Sequence, residues 1–226
     1  MLLLSVDTSG KQGSIALAIA GTTEGDDFEV IEIAPLVGGT FSAQLIPQII
    51  ELLSRNGFTK GDIGALTAAS GPGSFTGLRI GLAAVKALAE VLDRPIAAVS
   101  LLEVCVFASG AQGKIMAALD AGRSDVYVGE YTIPAVPGQV PREHILTRSE
   151  FLAQAKGWTV VTPDSVLSDA AGAAGLSVST LPPISAAEVA RLGWRKIQSR
   201  ETVTAEQLEA NYIRRTDAAM LEKSES

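Results

Sequence analysis

Residues 2–19 read LLLSVDTSGKQGSIALAI, and residues 114–131 read KIMAALDAGRSDVYVGEY. Each begins with a continuous apolar run, reaches an aspartate (Asp7, Asp120), passes through a short glycine-containing turn and resumes as an alternating apolar strand. An apolar run, a tight turn and a period-2 alternation mark a strand, a turn and a second strand. The same plan twice in one chain, with a helical stretch between, predicts a duplicated α/β fold.

Working outward from the first copy, a third strand is expected over 28–34, where Phe28, Val30, Ile31 and Ile33 carry β propensity. Gly38 and Gly39 break the chain. Ser42 is the expected N-cap of a helix over 43–55, with Pro47 near its first turn and Asn56-Gly57 as its stop. A strand over 65–69, a loop over 70–74, a helix over 75–92 and a strand over 96–99 follow. The order βββαβα is the ribonuclease H-type arrangement. Its duplication is the plan of the actin-like ATPase superfamily (ASKHA), which includes sugar kinases and chaperone ATPases. Two subdomains are expected, 1–109 and 110–226, with the tail able to pack back on the first. Beyond residue 132 the pattern is weaker: Pro134, Pro137 and Pro141 predict a loop, 185–198 a helix, and LEKSES a frayed end.

Composition narrows the function classes. With 47% hydrophobic, 19% charged and 5% aromatic residues, the core must be filled mainly by Ala, Leu, Ile and Val. A formal net charge of -7 argues against unaided binding to a nucleic acid backbone, because that affinity rests on Lys and Arg releasing counterions. Cys105 is the single cysteine, so no intrachain disulfide forms, and its apolar flanks LLEVCVFA predict a buried thiol. The opening residues lack a basic leader and a cleavage site, so they are read as a strand and not as a signal peptide. The most apolar helix, 75–92, is interrupted by Arg79, Lys86 and Glu90. The expectation is a soluble, cytoplasmic protein with no membrane partner.

Two groups of residues could carry chemistry. In the ASKHA superfamily the aspartate turns of the two halves hold metal and phosphates, which makes Asp7, Thr8, Ser9 and Asp120, Gly122, Arg123 candidates for a nucleotide site. The alternative is that both aspartates cap strand ends and accept hydrogen bonds from turn amides. A glycine-rich adenosine stretch expected late in the second half has only DAAGAAGLS (169–177) to offer, a poor match, which favours an incomplete relic site with weak or shared nucleotide binding at most. The densest block is SGPGSFTGLRIG, residues 70–81. Gly71, Gly73 and Gly77 are spaced GxGxxxG, which is not the dinucleotide fingerprint, and no acidic residue ends the next strand. Gly77 is followed by Leu78, so a Walker loop fails as well. The glycines instead allow a sharp turn, with Ser74 capping the helix.

This block, Gly71, Pro72, Gly73, Ser74, Phe75, Thr76, Gly77 and Arg79 among its residues, resembles the signature of the TsaB (YeaZ) family. The opening LSVDTSG…SIALA, the helix FSAQLIPQIIELL, the strand DIGAL, the segment LDAGRSDVYVGEY and the terminal YIR resemble that family in the same order. Phe41 departs from the pattern, since relatives often carry His there. The resemblance implies an accessory, non-catalytic subunit of the machinery that forms N6-threonylcarbamoyladenosine at position 37 of tRNAs. Such a subunit pairs with the catalytic TsaD as a heterodimer, works with the ATPase TsaE and meets tRNA only through the complex. It holds no catalytic metal, and His144, the single histidine, cannot furnish a two-histidine site. His144 is expected to be solvated in the proline-rich loop.

A partner surface follows from helical spacing together with that resemblance. Leu45, Ile49, Leu52 and Leu53 form one stripe on the first helix, and Ile46 and Ile50 widen it beyond what a surface helix usually buries. On the second helix, Ile80 and Ala84 lie on a side with few charges. Burial against the chain's own sheet is the competing explanation, and the resemblance favours a heterodimer through these helices, with a homodimer as the option for the free chain. The alternative function is an active ATP-dependent small-molecule kinase or ATPase of the same fold.

Overall fold

The computed structural model describes residues 1–21, 28–37, 39–136 and 140–213. Five strands form the first sheet: β1 (Leu2–Asp7), β2 (Gly13–Ala20), β3 (Phe28–Leu36), β4 (Ile63–Gly71) and β5 (Ile96–Ser100), in the order β3-β2-β1-β4-β5. The second sheet takes β6 (Gly113–Gly122), β7 (Asp125–Ile133), β8 (Arg142–Thr147), β9 (Thr159–Thr162) and β10 (Ser177–Thr180), in the order β10-β9-β6-β7-β8. Each sheet has an antiparallel meander followed by two parallel strands, β4 and β5 in one and β9 and β10 in the other. The duplicated, ribonuclease H-like ASKHA architecture is therefore present strand for strand.

Register explains the burial. β1 pairs with β2 through Leu4↔Leu17 and Val6↔Ile15, and with β4 through Leu4↔Leu66. Because β1 is the central strand, both of its faces are covered and all six of its residues are buried. On one face Leu2, Leu4, Val6, Ile15 and Leu17 meet α1 (Phe41–Arg55) and α2 (Phe75–Leu92). On the other, Leu3, Ala18, Ala20 and Ala65 meet Trp194 of α6 (Ala186–Gln198). The α6 capping box, Ser185 with Glu188, starts that helix, and the Ala186 amide donates to Ser14 Oγ on β2 at 2.8 Å. Lys196 near its end pairs with Glu103 of α3 (Leu101–Ser109) at 2.9 Å.

Two compact units result, one built from Met1–Val104 and Ile184–Asn211, the other on Cys105–Pro183. The boundary expected after residue 109 thus falls after Val104, and α6, assigned by a division at 110 to the second half, packs on the first sheet. The apolar stripe of α6, including Val189, Ala190 and Trp194, explains this: it needs a sheet face, and β1, β2 and β4 supply one.

Several elements differ from expectation. α1 begins at Phe41 and not at Ala43, flanked by Thr40, whose carbonyl accepts from Ala43 and Gln44. Burial of Phe41 in the core draws those residues into the helix, so Ser42 lies inside it and Pro47 in its second turn. The stretch marked by Pro134 and Pro141 lies between β7, which ends at Ile133, and β8, which begins at Arg142; what the sequence reading lacked is the run of α4 (Arg148–Gln154), β9, α5 (Ser165–Ala173) and β10 after it. The stretch 169–177, considered above as an adenosine loop, is the end of α5 and the turn into β10. Gly38, Pro137, Arg214 and the terminal LEKSES lie outside the described residues.

Candidate functional site

The Gly71–Arg79 signature is a joint between β4, α2 and the β1–β2 turn. The Gly71–Pro72 peptide is cis. Ser74 caps α2, its Oγ accepting from the Gly77 amide at 3.2 Å, and its own amide donates to the Ser9 carbonyl at 2.7 Å. Thr8 Oγ1 donates to the Gly77 carbonyl at 2.7 Å. Side chains have no room at this contact: a Cβ at Gly77 would run into the Thr8 carbonyl, and one at Gly81 into Thr8 Oγ1. Gly73 faces Ser9 in the same way. The glycine spacing therefore serves a close approach of helix to turn.

The same contacts define the surroundings of Asp7, Thr8 and Ser9, all buried. Asp7 Oδ1 accepts from the Ser9 amide at 2.9 Å and from Ser9 Oγ at 2.6 Å. Burial pushes its carboxyl above the ordinary range, and the two Ser9 hydrogen bonds act in the opposite direction without overcoming it. In the second unit, Asp120 is exposed and accepts from the Gly122 amide at 3.2 Å. Gly122, Arg123 and Ser124 follow with positive φ of 76°, 53° and 70°, a left-handed turn that only its glycine adopts freely. Both aspartates thus hydrogen-bond their own turns, one buried and one open to solvent.

The helical faces require a correction. Leu45, Ile49, Leu52 and Leu53 are each no more than 3% exposed and belong to the core between α1 and the first sheet. Ile80 and Ala84 are half-buried against that same core. Periodicity identified the apolar stripe; it is the inward one. The outward side carries Ile46 and Ile50 on α1, 44% and 62% exposed. On α2, Phe75, Arg79, Ala83, Ala87 and Val91 are all exposed at successive i+4 positions. The Arg79 guanidinium lies over the Phe75 ring, 3.8 Å from its centroid, so the one charge of this ridge sits folded on an aromatic face. An i+4 count along 75–91 would have found the ridge in the sequence.

Other chemical groups are placed inside the fold. Cys105 is fully buried, and burial pushes its thiol up to about 12. His144 is not in a loop: it stands on β8 with its side chain 13% exposed, and its Nε2 is 3.6 Å from Glu130 on β7. Burial lowers its pKa, Glu130 opposes that shift, and Arg142 acts both ways, its charge lowering the pKa and its backbone hydrogen bond raising it. Among the described residues no group of three or more His, Cys, Asp or Glu is placed to hold a metal ion, and no helix is long and apolar enough to cross a membrane.

With this geometry, known proteins can be compared. The family model described as tRNA N6-adenosine threonylcarbamoyltransferase (TsaD) matches residues 35–156, which include the signature joint, α1 and α2. The chain belongs to this family, in its TsaB (YeaZ) branch. It is 36% identical over 133 residues to the tRNA threonylcarbamoyladenosine biosynthesis protein TsaB of Bacillus subtilis, a match covering 58% of this chain and 55% of the relative. With TsaB of Haemophilus influenzae the identity is 32% over 154 residues, covering 67% of this chain and 58% of the relative. The chain thus spans little more than half the length of the curated relatives it matches. A solved structure described as having similarity to the peptidase YEAZ from Pseudomonas aeruginosa superposes with a TM-score of 0.70 at 27% identity, covering 94% of this chain and 99% of the other. YeaZ from Pseudomonas aeruginosa gives 0.67 at 25% identity, covering 93% of this chain and all of the other.

Proposed function

We propose that this TsaB-family chain takes part in forming N6-threonylcarbamoyladenosine on tRNA as a non-catalytic subunit. In this reading it binds a TsaD-type catalytic subunit through the outward faces of α1 and α2, with a TsaE-type ATPase in the same assembly and tRNA held by the other chains. The exposed ridge Phe75, Arg79, Ala83, Ala87 and Val91 carries the proposal. Its alanines let a second helix approach closely, while Phe75, Val91 and, on α1, Ile46 and Ile50 supply apolar area that water otherwise covers. A net charge of -7 supports leaving the tRNA backbone to a partner. Capture of the Asp7 carboxyl by Ser9 supports the absence of a chemical step in this chain.

Reconstitution tests it. The chain is combined with TsaD- and TsaE-type proteins, ATP, threonine, bicarbonate and tRNA, and modified nucleoside is measured. Ala83→Arg and Ile50→Glu should each weaken the heterodimer by about 2 kcal/mol or more, as charges do when forced into a desolvated contact, and modification should fall with it. Asp7→Asn should leave modification intact wherever the complex forms. Wild-type affinity in both helix variants, or an assembled but inactive Asp7→Asn complex, would overturn the proposal.

A further inference from the structure

Residues 202–211 run past α6 as a strap with a turn at 205–207, its Val203, Ala205 and Ala210 packed at the margin of the first unit's core and three contacts anchoring it. The Val203 amide donates to the Ile96 carbonyl on edge strand β5 at 2.8 Å. Leu208 is 1% exposed and enters the core that α1 and α2 share. The Asn211 amide donates to the Ser70 carbonyl at 2.7 Å. Between these anchors Thr204, Glu206, Gln207 and Glu209 are exposed, and Thr202–Ala205 line a cleft of about 440 Å³ together with Ala89, Glu90 and Asp93 near the end of α2.

The third anchor sits at a weak point of the sheet. The β4–β5 ladder shifts register between Ala69 and Gly71, so Ser70 drops out of the strand pairing, and the strap supplies the partner that β5 does not. Asn211 also lies against Gly71, where a Cβ would come within 3.0 Å of its carbonyl oxygen. Ser70 and Gly71 lead directly into the Ser74 cap of α2. A marginal segment with one fully buried side chain, Leu208, and alternate residues exposed opens more readily than the core beneath it.

We propose that this strap is a latch on the signature turn. Attached, it fixes Ser70 and Gly71 and so the first turn of α2; released, it loosens the ridge that starts at Phe75. The functional half of this inference rests on the ridge being the docking face, and latch and docking are then reciprocally coupled: ordering one favours the other.

Amide hydrogen exchange on the full chain tests it. Asn211→Pro removes the amide donor to Ser70 and leaves the Leu208 anchor in place; Leu208→Ser releases the apolar anchor. The Ser74, Gly77 and Leu78 amides report on the turn, and the Leu4 and Leu17 amides, in the same unit, serve as controls. In Asn211→Pro the reporters should exchange about fivefold faster, the effect of one lost hydrogen bond, with the controls unchanged. Unchanged reporters, or controls accelerated equally, would overturn the latch. If Leu208→Ser fails to fold, Asn211→Pro alone decides. Affinity for a TsaD-type subunit, measured on the same variant, should drop in parallel. Faster exchange with unaltered affinity would uphold the latch and remove the ridge from the docking face.

Discussion

Replacing Gly77 by alanine puts the signature joint to a quantitative test. Two effects compete. In a helix interior alanine is favoured over glycine by about 1 kcal/mol. Against this, the new methyl group would meet the Thr8 carbonyl, a backbone atom at the end of β1 that cannot turn away. Overpacking of that kind costs about 1–3 kcal/mol. Any shift of α2 that relieves it stretches the 2.7 Å hydrogen bond from Thr8 Oγ1 to the Gly77 carbonyl, a further loss of about 1 kcal/mol. The net expectation is a destabilisation of about 1–3 kcal/mol. Gly172 in α5 provides the matched control, since nothing lies within 4 Å of a Cβ built there and its φ is ordinary. Gly172→Ala should show only the propensity gain and stabilise its own unit by about 0.5–1 kcal/mol. Urea unfolding followed by a probe in each unit measures both. A Gly77→Ala protein as stable as the parent would refute the close-approach account of the signature glycines.

Two further outcomes follow from the buried ionisable groups. Because the folded-state pKa of Asp7 lies above its ordinary value of 3.8, the folded protein holds this proton to higher pH than the unfolded chain does. This group's contribution to stability therefore falls as pH rises from 3.8 through the raised pKa, and the penalty persists at neutral pH. Asn keeps an acceptor for Ser9 without the charge, so Asp7→Asn should flatten that acid slope and be no less stable than the parent at pH 7; a loss above about 1 kcal/mol would contradict it. Cys105, with its thiol near 12, should resist thiol reagents at pH 8 in the folded protein and react fully in denaturant, and rapid labelling of the native chain would place it wrongly.

The parts of this fold that were legible in sequence are those where a local pattern has one structural solution. Leu2–Asp7 and Gly13–Ala20 announce themselves by apolar run, turn and alternation, and Ser74 caps α2 because a serine before an apolar helix is an economical way to satisfy its first amides. The inward or outward sense of α1 was not legible. A 3.6-residue period shows that Leu45, Ile49 and Leu52 share a face, but Ile46 and Ile50 form a second apolar face, and only the position of the sheet distinguishes them. The second unit was obscure for a different reason. β9 and β10 have four residues each, too few for alternation to register, and α4 has seven, so turn residues and prolines dominated the pattern. His144 was misplaced as a consequence, its β8 neighbours being half-polar. The Asp120 turn is legible by its analogy to Asp7, yet nothing local indicates that one carboxyl is buried and the other open.

The return of α6 to the first sheet has a consequence for how the chain is made. Synthesis runs from the N-terminus, and domains generally fold in that order as they leave the ribosome. Here the Leu3, Ala18 and Ala65 face of the first sheet has its cover, Trp194, encoded after the whole of Cys105–Pro183. The earliest strands to emerge must wait with an apolar face bare while a contiguous later segment acquires everything its own core requires. The nascent protein is therefore most exposed to aggregation or chaperone capture in the interval before residue 198 is free, and a ribosome stalled there would carry its oldest sheet still unfinished.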